Sequence, residues 1–437
     1  MKIRKIALRL LSDFESNGAY ANLSLSSHLL DPLGAAERAA LTALFYTTVE
    51  RKLTLDYAIG VIASRSVEQM DPYTRNLLRL GLCQIYYMEK IPDFAAVNET
   101  VKLARGGGER AFVNGVLRAA ARQKDTPPMP DRSKNEARYL SVAYSLPLWI
   151  VRHYLELFSV EEAERLFLAI NEKPALTVTV NTTRISVEAY MQALDGAGIK
   201  ARRSMRAPSS VIIEDAIVPC SLYGFSEGLF FVQDEASALV ALALDARSGE
   251  RVIDVCACPG GKSFGAALTM QDGGEVLAFD LHESKLPLIR ESAERLGLTS
   301  VQARMQDATH ADESLYETAD RVIADVPCSG LGVLRKKPDL RYKSRESVDA
   351  LPELGYTILD QSARYVKAGG TLVFSTCTTR KEENEDVLER FLSSHPDFSL
   401  APFSDGEHTY ADGICHTYIQ RDGCDGFFIA KMKRKEK

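Results

Sequence analysis

Val252-Ile-Asp-Val-Cys-Ala-Cys-Pro-Gly-Gly-Lys-Ser263 joins a β-branched run to a glycine-rich turn and the start of a helix. Glycines let a backbone approach a ligand closely, and a helix N-terminus presents free N–H groups. Two nucleotide-binding patterns fail on this stretch. A phosphate-binding P-loop needs glycine five residues before Gly261, where Cys256 stands. The dinucleotide pattern Gly-x-Gly-x-x-Gly is also absent. What remains is a turn suited to a nucleoside without a polyphosphate, formed by Cys256, Ala257, Cys258, Pro259, Gly260, Gly261 and Lys262.

Outward from that turn, strands and helices alternate. Strands are expected at Arg251–Cys256, Glu275–Asp280, Val301–Gln306, Arg321–Val326, Thr371–Ser375 and Phe427–Lys431. That alternation predicts a doubly wound α/β sheet, in which ligands bind at the carboxyl ends of the strands. Asp280 ends the second strand, 19 residues after Gly261. A carboxylate at that distance is placed for ribose hydroxyls. Asp307 follows the third strand, where an acid can accept from an adenine amino group. Together these features point to S-adenosylmethionine more than to a nicotinamide cofactor.

Two cysteines follow later strands: Cys328 in Asp325-Val-Pro-Cys-Ser-Gly330 and Cys377 in Phe374-Ser-Thr-Cys-Thr378. Most free cysteines are small buried apolar residues. Two at one sheet edge, near a carboxylate, suit covalent chemistry on a pyrimidine. Carbon 5 of that ring becomes nucleophilic only when a thiolate adds to carbon 6. Asp325 is placed to assist at the ring nitrogen, and Lys262 or helix N-termini to favour the thiolate. The acceptor of the carbon-5 proton stays open among Cys328, Asp325 and water.

The chain has 437 residues, 46% apolar and 26% charged, ordinary for a soluble protein of two or three domains. No apolar run reaches bilayer-spanning length. The opening residues read as an amphipathic helix, not a signal peptide. Eight cysteines without a Cys-x-x-Cys pair indicate neither a zinc site nor a disulfide framework, and a cytoplasmic, reduced setting is expected. The net charge of −6 excludes a uniformly basic nucleic-acid binder. Residues 1–124, however, carry 17 Lys and Arg against 12 Asp and Glu. Basic clusters at Lys200–Arg206 and Arg335–Arg345 are candidate phosphate contacts. A third, Lys431–Lys435, reads as a solvated or frayed end.

Residues up to about 124 read as helices; in Arg75–Met88 the apolar positions recur at three and four residues. Asp71 and Pro72 supply its N-cap and first turn. Lys124-Asp-Thr-Pro-Pro-Met-Pro-Asp131 is a linker signal. A helical stretch over Leu146–Asn171 and strands at Ala175–Asn181 and Val211–Glu214 follow. Three domains are expected: helical over 1–128, a helical linker with a small α+β domain over 129–235, and a Rossmann-like domain over 236–437.

The motifs Pro259-Gly-Gly-Lys262, Asp325-Val-Pro-Cys-Ser-Gly330 and Phe374-Ser-Thr-Cys377 resemble those of the RNA cytosine-5 methyltransferases. Ala96-Val-Asn-Glu-Thr-Val-Lys-Leu-Ala104 and Phe112-Val-Asn-Gly-Val-Leu-Arg118 resemble the NusB-type RNA-binding helical domain. The fusion is similar to the bacterial 16S ribosomal RNA methyltransferase B family, across nearly the whole chain. Cys258 stands where that family usually has alanine. The resemblance implies Cys377 as nucleophile and Cys328 in product release. It implies cofactor contacts from Cys256–Lys262, Asp280, Asp307 and Asp325, and an antiparallel last strand at Asp425–Ala430. It implies 16S ribosomal RNA, free or in a partial small-subunit particle, as partner, with no metal, no membrane and a monomeric chain. Transfer RNA, another ribosomal site, or a binding role with a passive catalytic half stay open as alternatives.

Overall fold

The computed structural model describes residues 2–17, 33–123 and 126–436. The expected linker begins at Lys124 and Asp125, which lie outside the described residues. Two compact units emerge. One comprises residues 1–172 with 334–342, the other 173–333 with 343–437.

The first unit is helical: α1 (Lys2–Asn17), α2 (Ala35–Glu50), α3 (Lys52–Ala63), α4 (Pro72–Tyr87), α5 (Asp93–Val101), α6 (Gly107–Arg122), α7 (Glu136–Tyr144), α8 (Leu148–Leu157) and α9 (Val160–Asn171). Helix α4 begins as its sequence predicts: Asp71 accepts from the Thr74 N–H at 3.2 Å, and Pro72 occupies the first turn. Its stripe of Leu77, Leu78, Leu82, Cys83 and Ile85 is buried. Gly81 lets α4 approach α6, since a Cβ there would lie 2.6 Å from a Leu117 methyl. The single helical stretch expected over Leu146–Asn171 is two helices. Phe158 turns extended, and Ser159 caps α9 by accepting from Glu162 N–H at 3.3 Å. Helices α7–α9, expected to group with the small α+β domain, cluster with the N-terminal helices instead.

Residues 334–342 complete this unit. Arg341 is fully buried and donates to the carbonyls of Glu50 (3.1 Å), Ser145 (3.4 Å) and Ile170 (3.4 Å). These carbonyls lie at the C-terminal ends of α2, α7 and α9, where helices leave acceptors unpaired and carry partial negative charge. The sequence suggested a phosphate contact at Arg341. Its guanidinium is instead consumed inside the protein.

The second unit opens with an antiparallel sheet of β1 (Leu176–Val180), β2 (Ala201–Arg203), β3 (Ser210–Ile213) and β4 (Phe230–Val232), in the order β2-β3-β1-β4, with α10 (Val187–Gly196). The larger sheet follows: β5 (Arg251–Asp254), β6 (Glu275–Asp280), β7 (Val301–Met305), β8 (Ala319–Asp325), β9 (Val366–Thr376), β10 (Phe398–Leu400), a ribbon of β11 (Phe403–Ser404) and β12 (Thr409–Tyr410), then β13 (Ile414–Thr417) and β14 (Phe427–Arg434). Its helices are α11 (Glu235–Leu244), α12 (Gly261–Thr269), α13 (Leu286–Leu296), α14 (Arg345–Asp349), α15 (Leu351–Ala363) and α16 (Glu385–Ser394).

The strand order is β10-β14-β9-β8-β5-β6-β7, with β13 against β14. Strands β7, β6, β5, β8 and β9 run parallel, and β14 is antiparallel to β9. Period-two alternation divides the core. Val252, Val276 and Val373 pack with α11–α13, whereas Ile253, Leu277 and Leu372 pack with Ile358, Leu359 and Phe391 of α15 and α16. Connections reverse direction between β5 and β8, which puts the ligand crevice at the carboxyl ends of those two strands. The basic tail is not a frayed end. Strand β14 runs through Arg434, whose guanidinium pairs with Asp397 at 2.9 Å. Among the described residues no helix is long and apolar enough to cross a membrane.

Candidate active site

The turn after β5 is built by backbone bonds to both neighbouring strands. Val255 N–H donates to Ile323 O at 3.1 Å, and Ala257 N–H to Phe279 O at 2.7 Å. The Cys258–Pro259 peptide is cis. Gly260 has φ +108°, and a Cβ there would strike the Phe264 ring at 2.4 Å, so only glycine fits. Helix α12 then starts at Gly261, leaving its first N–H groups free for a ligand.

Asp254 ends β5 beneath this turn and is fully buried. Its Oδ2 accepts from Ser263 Oγ at 2.6 Å, whereas Oδ1 meets no donor at hydrogen-bond geometry among the described residues. Burial pushes its carboxyl up to about 6, against the opposing pull of the Ser263 hydroxyl and the Lys262 ammonium. The Cys256 N–H also faces this carboxylate and stabilises its charged form. Asp280 closes β6 and accepts from His282 N–H at 2.9 Å, with Lys285 Nζ 3.7 Å away. Asp307 accepts from Thr309 Oγ1 (2.7 Å) and Thr309 N–H (2.9 Å), which hold its carboxyl below the ordinary range. The expected cofactor residues thus occupy successive strand ends of one sheet edge. The glycine cradle and the row of strand-end carboxylates beside it fit S-adenosylmethionine. Cys256 lies in this turn as a thiol, its pKa pushed up by burial and by Asp254, Asp325 and Asp280.

Asp325 ends β8. Its Oδ2 is 2.7 Å from Lys262 Nζ, and its Oδ1 accepts from Ser375 Oγ at 2.7 Å. Lys262 lies over the Phe427 ring, 5.3 Å from its centre. Burial works against its charge, but Asp325 outweighs it, and the ammonium stays above its ordinary range. Cys328 Sγ and Cys377 Sγ are 3.1 Å apart, and both residues are partly exposed thiols. The two cysteine turns are stitched together. Ser329 Oγ and Thr378 Oγ1 are 2.6 Å apart, and Gly332 N–H donates to Cys377 O at 3.0 Å. Lys343 Nζ donates to Cys328 O at 3.1 Å.

Four residues here escaped the sequence reading: Asp254, Ser375, Glu383 and Asn384; Lys343, read there as part of a phosphate-contacting cluster, instead donates to the Cys328 turn. The signal for Glu383 and Asn384 was the run Lys381-Glu-Glu-Asn-Glu385 directly after Cys377, which also reads as an ordinary acidic helix start.

Residues 241–433 match the family described as 16S rRNA methyltransferase RsmB/F, residues 1–122 the NusB family, and residues 146–219 an RsmF/B-like ferredoxin-like domain. The chain is 37% identical to the probable ribosomal RNA small subunit methyltransferase B of Bacillus subtilis (strain 168), over 99% of both chains. It belongs to the ribosomal RNA small subunit methyltransferase B family. The Synechocystis relative is 33% identical, also over 99% of both chains. A crystal structure of a methyltransferase homolog protein from Pyrococcus horikoshii superposes with TM-score 0.60 at 26% identity, covering 69% of this chain and 99% of that one. Family membership makes the chain an S-adenosylmethionine-dependent RNA methyltransferase, with a NusB-like domain, a ferredoxin-like domain and a mixed-sheet catalytic domain in that order.

Proposed function

We propose that this methyltransferase modifies carbon 5 of one cytosine in 16S ribosomal RNA through a covalent adduct on Cys377. The 3.1 Å approach of Cys328 and Cys377, beside the Lys262–Asp325 pair, carries the reading. The cofactor, held by Cys256–Lys262, Asp280 and Asp307, supplies an electrophilic sulfonium methyl when bound. The Cys377 thiolate forms the bond to carbon 6. The ring electrons move toward the ring nitrogen and oxygen, where Asp325 assists, and carbon 5 becomes nucleophilic. Cys328 assists release: the carbon-5 proton leaves, the carbon 5–carbon 6 double bond returns, and the sulfur–carbon bond breaks. The target base is unstacked into this edge, as chemistry on a base requires.

On this reading a NusB-like domain within residues 1–128 binds RNA and residues 236–437 carry catalysis, with residues 129–235 linking them in sequence. The chain acts as a cytoplasmic monomer. Lys200, Arg202 and Arg203 are exposed and suited to phosphates. Arg206 is withdrawn from that role. It is buried against Asp405 (2.9 Å) and Asp422 (3.0 Å).

Methyl transfer from labelled cofactor to unmodified 16S ribosomal RNA tests the proposal. Transfer to one cytosine, lost in Cys377→Ala, is expected. Cys328→Ala is expected to accumulate an RNA adduct that migrates slowly on a denaturing gel. Full activity in Cys377→Ala would overturn the nucleophile assignment, and an active wild type with no adduct in Cys328→Ala would overturn the release role.

A further inference from the structure

Glu383 and Asn384 are consecutive, and each grips one cysteine turn. Glu383 Oε2 accepts from the N–H of Ser329, next to Cys328, at 2.7 Å. Asn384 accepts from Thr376 Oγ1 at 2.5 Å and donates to Thr378 O at 3.0 Å, on either side of Cys377. Glu383 is 3% exposed, and its Oε1 makes no hydrogen bond with any described residue. The nearest cation to that oxygen is Arg380, at 3.5 Å.

Two sulfurs 3.1 Å apart thus experience different fields. The Lys262 ammonium faces Cys377. The carboxylates of Glu383 and Asp325 face Cys328, along with the Cys377 sulfur itself. Lys343 meets the Cys328 turn through backbone carbonyls. Burial raises the Glu383 carboxyl above its ordinary range, while its Ser329 hydrogen bond, Arg380 and Lys343 favour the carboxylate. A cation beside one thiol and carboxylates beside its neighbour divide the pair into thiolate and thiol.

We propose that Glu383 is a positioning residue whose charge keeps Cys328 protonated, so that Cys377 alone carries the thiolate and adds to the base. This rests on the cysteine roles proposed above. It also balances the release step. The Cys328 thiol gives its proton to the Cys377 sulfur as the sulfur–carbon 6 bond breaks, and the carbon-5 proton replaces it on Cys328. Cys377 thus leaves as a thiol, and loss of its proton to solvent restores the thiolate and accounts for the one proton that each methylation releases. The Cys328 thiol titrates well above its ordinary value, first because of its hydrogen bond with Cys377 and then through burial and the surrounding negative charge.

A purely structural Glu383 would act through the Ser329 hydrogen bond, which glutamine also accepts. Site-resolved alkylation with iodoacetamide, read by peptide mass spectrometry across pH, separates charge from shape. In the wild type at neutral pH, Cys377 is expected to react first; Cys328 reacting first would overturn the proposal, with no variant required. In a Cys377→Ala background, Glu383→Gln is expected to lower the alkylation midpoint of Cys328 by about 1 pH unit. Glu383→Asp in the same background should return it toward the parent value. An unchanged or higher midpoint in a folded Glu383→Gln protein would overturn the proposal, and should that variant not fold, the wild-type order decides. Alkylation reads no RNA, so failure of the methyl-transfer assay and failure of this one are separate results.

Discussion

Two cysteine pairs occupy the catalytic unit, and they have opposite surroundings. Cys328 and Cys377 meet at the carboxyl edge of the parallel strands, partly exposed, among Lys262, Asp325 and Glu383. Cys415 and Cys424 are sealed in the interior, and both face the Arg206 guanidinium, at 3.7 Å and 4.0 Å. A cation beside a thiol lowers its pKa, yet burial outweighs Arg206 and leaves both of these thiols raised. Access, and the Lys262 ammonium facing Cys377, therefore distinguish the pair proposed for catalysis from the sealed one; residue type does not.

The largest effect that would break this contrast is on turnover. Cys377→Ser should lower methyl transfer by about 10⁴-fold or more, whereas Cys415→Ala should leave kcat within about twofold, since no reacting group touches it. A comparable loss in both would erase the distinction. On stability the order inverts. Arg206 also bonds Tyr410 at 2.6 Å and pairs with a fully buried Asp405. Arg206→Met removes the cation from Asp405 and Asp422 and leaves them only their remaining hydrogen bonds, from the Glu407 and His408 N–H groups, Tyr410 and the Tyr418 N–H; it should cost about 3–5 kcal/mol in urea unfolding. A loss under 1 kcal/mol would show the network to be dispensable.

The reactive side also carries a cost that the sealed side lacks. Asp254 titrates at about 6 in the fold against 3.8 for the free carboxyl. The native state therefore holds that proton more tightly than the unfolded chain does. Its contribution is most favourable below about pH 4 and is lost as pH rises through 6. Asp254→Asn should be more stable than the parent at pH 7.5, by up to about 3 kcal/mol, with the gap closing toward pH 4.5. Cofactor affinity should fall in the same variant. Parallel melting curves at both pH values would reveal an absent or inverted gap. The smallest effect sharpens the other end: Cys415→Ala should cost about 1 kcal/mol by calorimetry, a small cavity and little else.

What the sequence disclosed and withheld follows from the range of the interactions. The Cys256–Lys262 turn, Asp280, Asp325 and both cysteines stand at the ends of β-branched runs. Local pattern places each at a strand terminus, and the alternating elements place those termini on one edge. The Asp71–Pro72 helix start is equally local. Glu383 and Arg341 were opaque for the opposite reason. Glu383 reaches Ser329 across 54 residues, and Arg341 reaches Glu50 across 291. Within its own segment each is one more charge in a polar run. Arg206 and Arg341 look like their exposed neighbours in composition, and only tertiary packing withdraws them. The basic tail misled similarly, because Lys431–Arg434 continues a strand whose partner, β9, ends in the Ser375–Cys377 site.

The arginine that closes three helix ends has a consequence for synthesis. A ribosome delivers Glu172 long before Tyr342, yet the helical unit includes residues 334–342. At ordinary translation speed the intervening 170 residues take about 10–30 s. For that interval the nascent helical domain carries an open socket, with the carbonyls of Glu50, Ser145 and Ile170 still awaiting their guanidinium. The N-terminal domain is thus first to emerge but not first to finish, and its last piece arrives only after the strand that leads to Cys328 has been made.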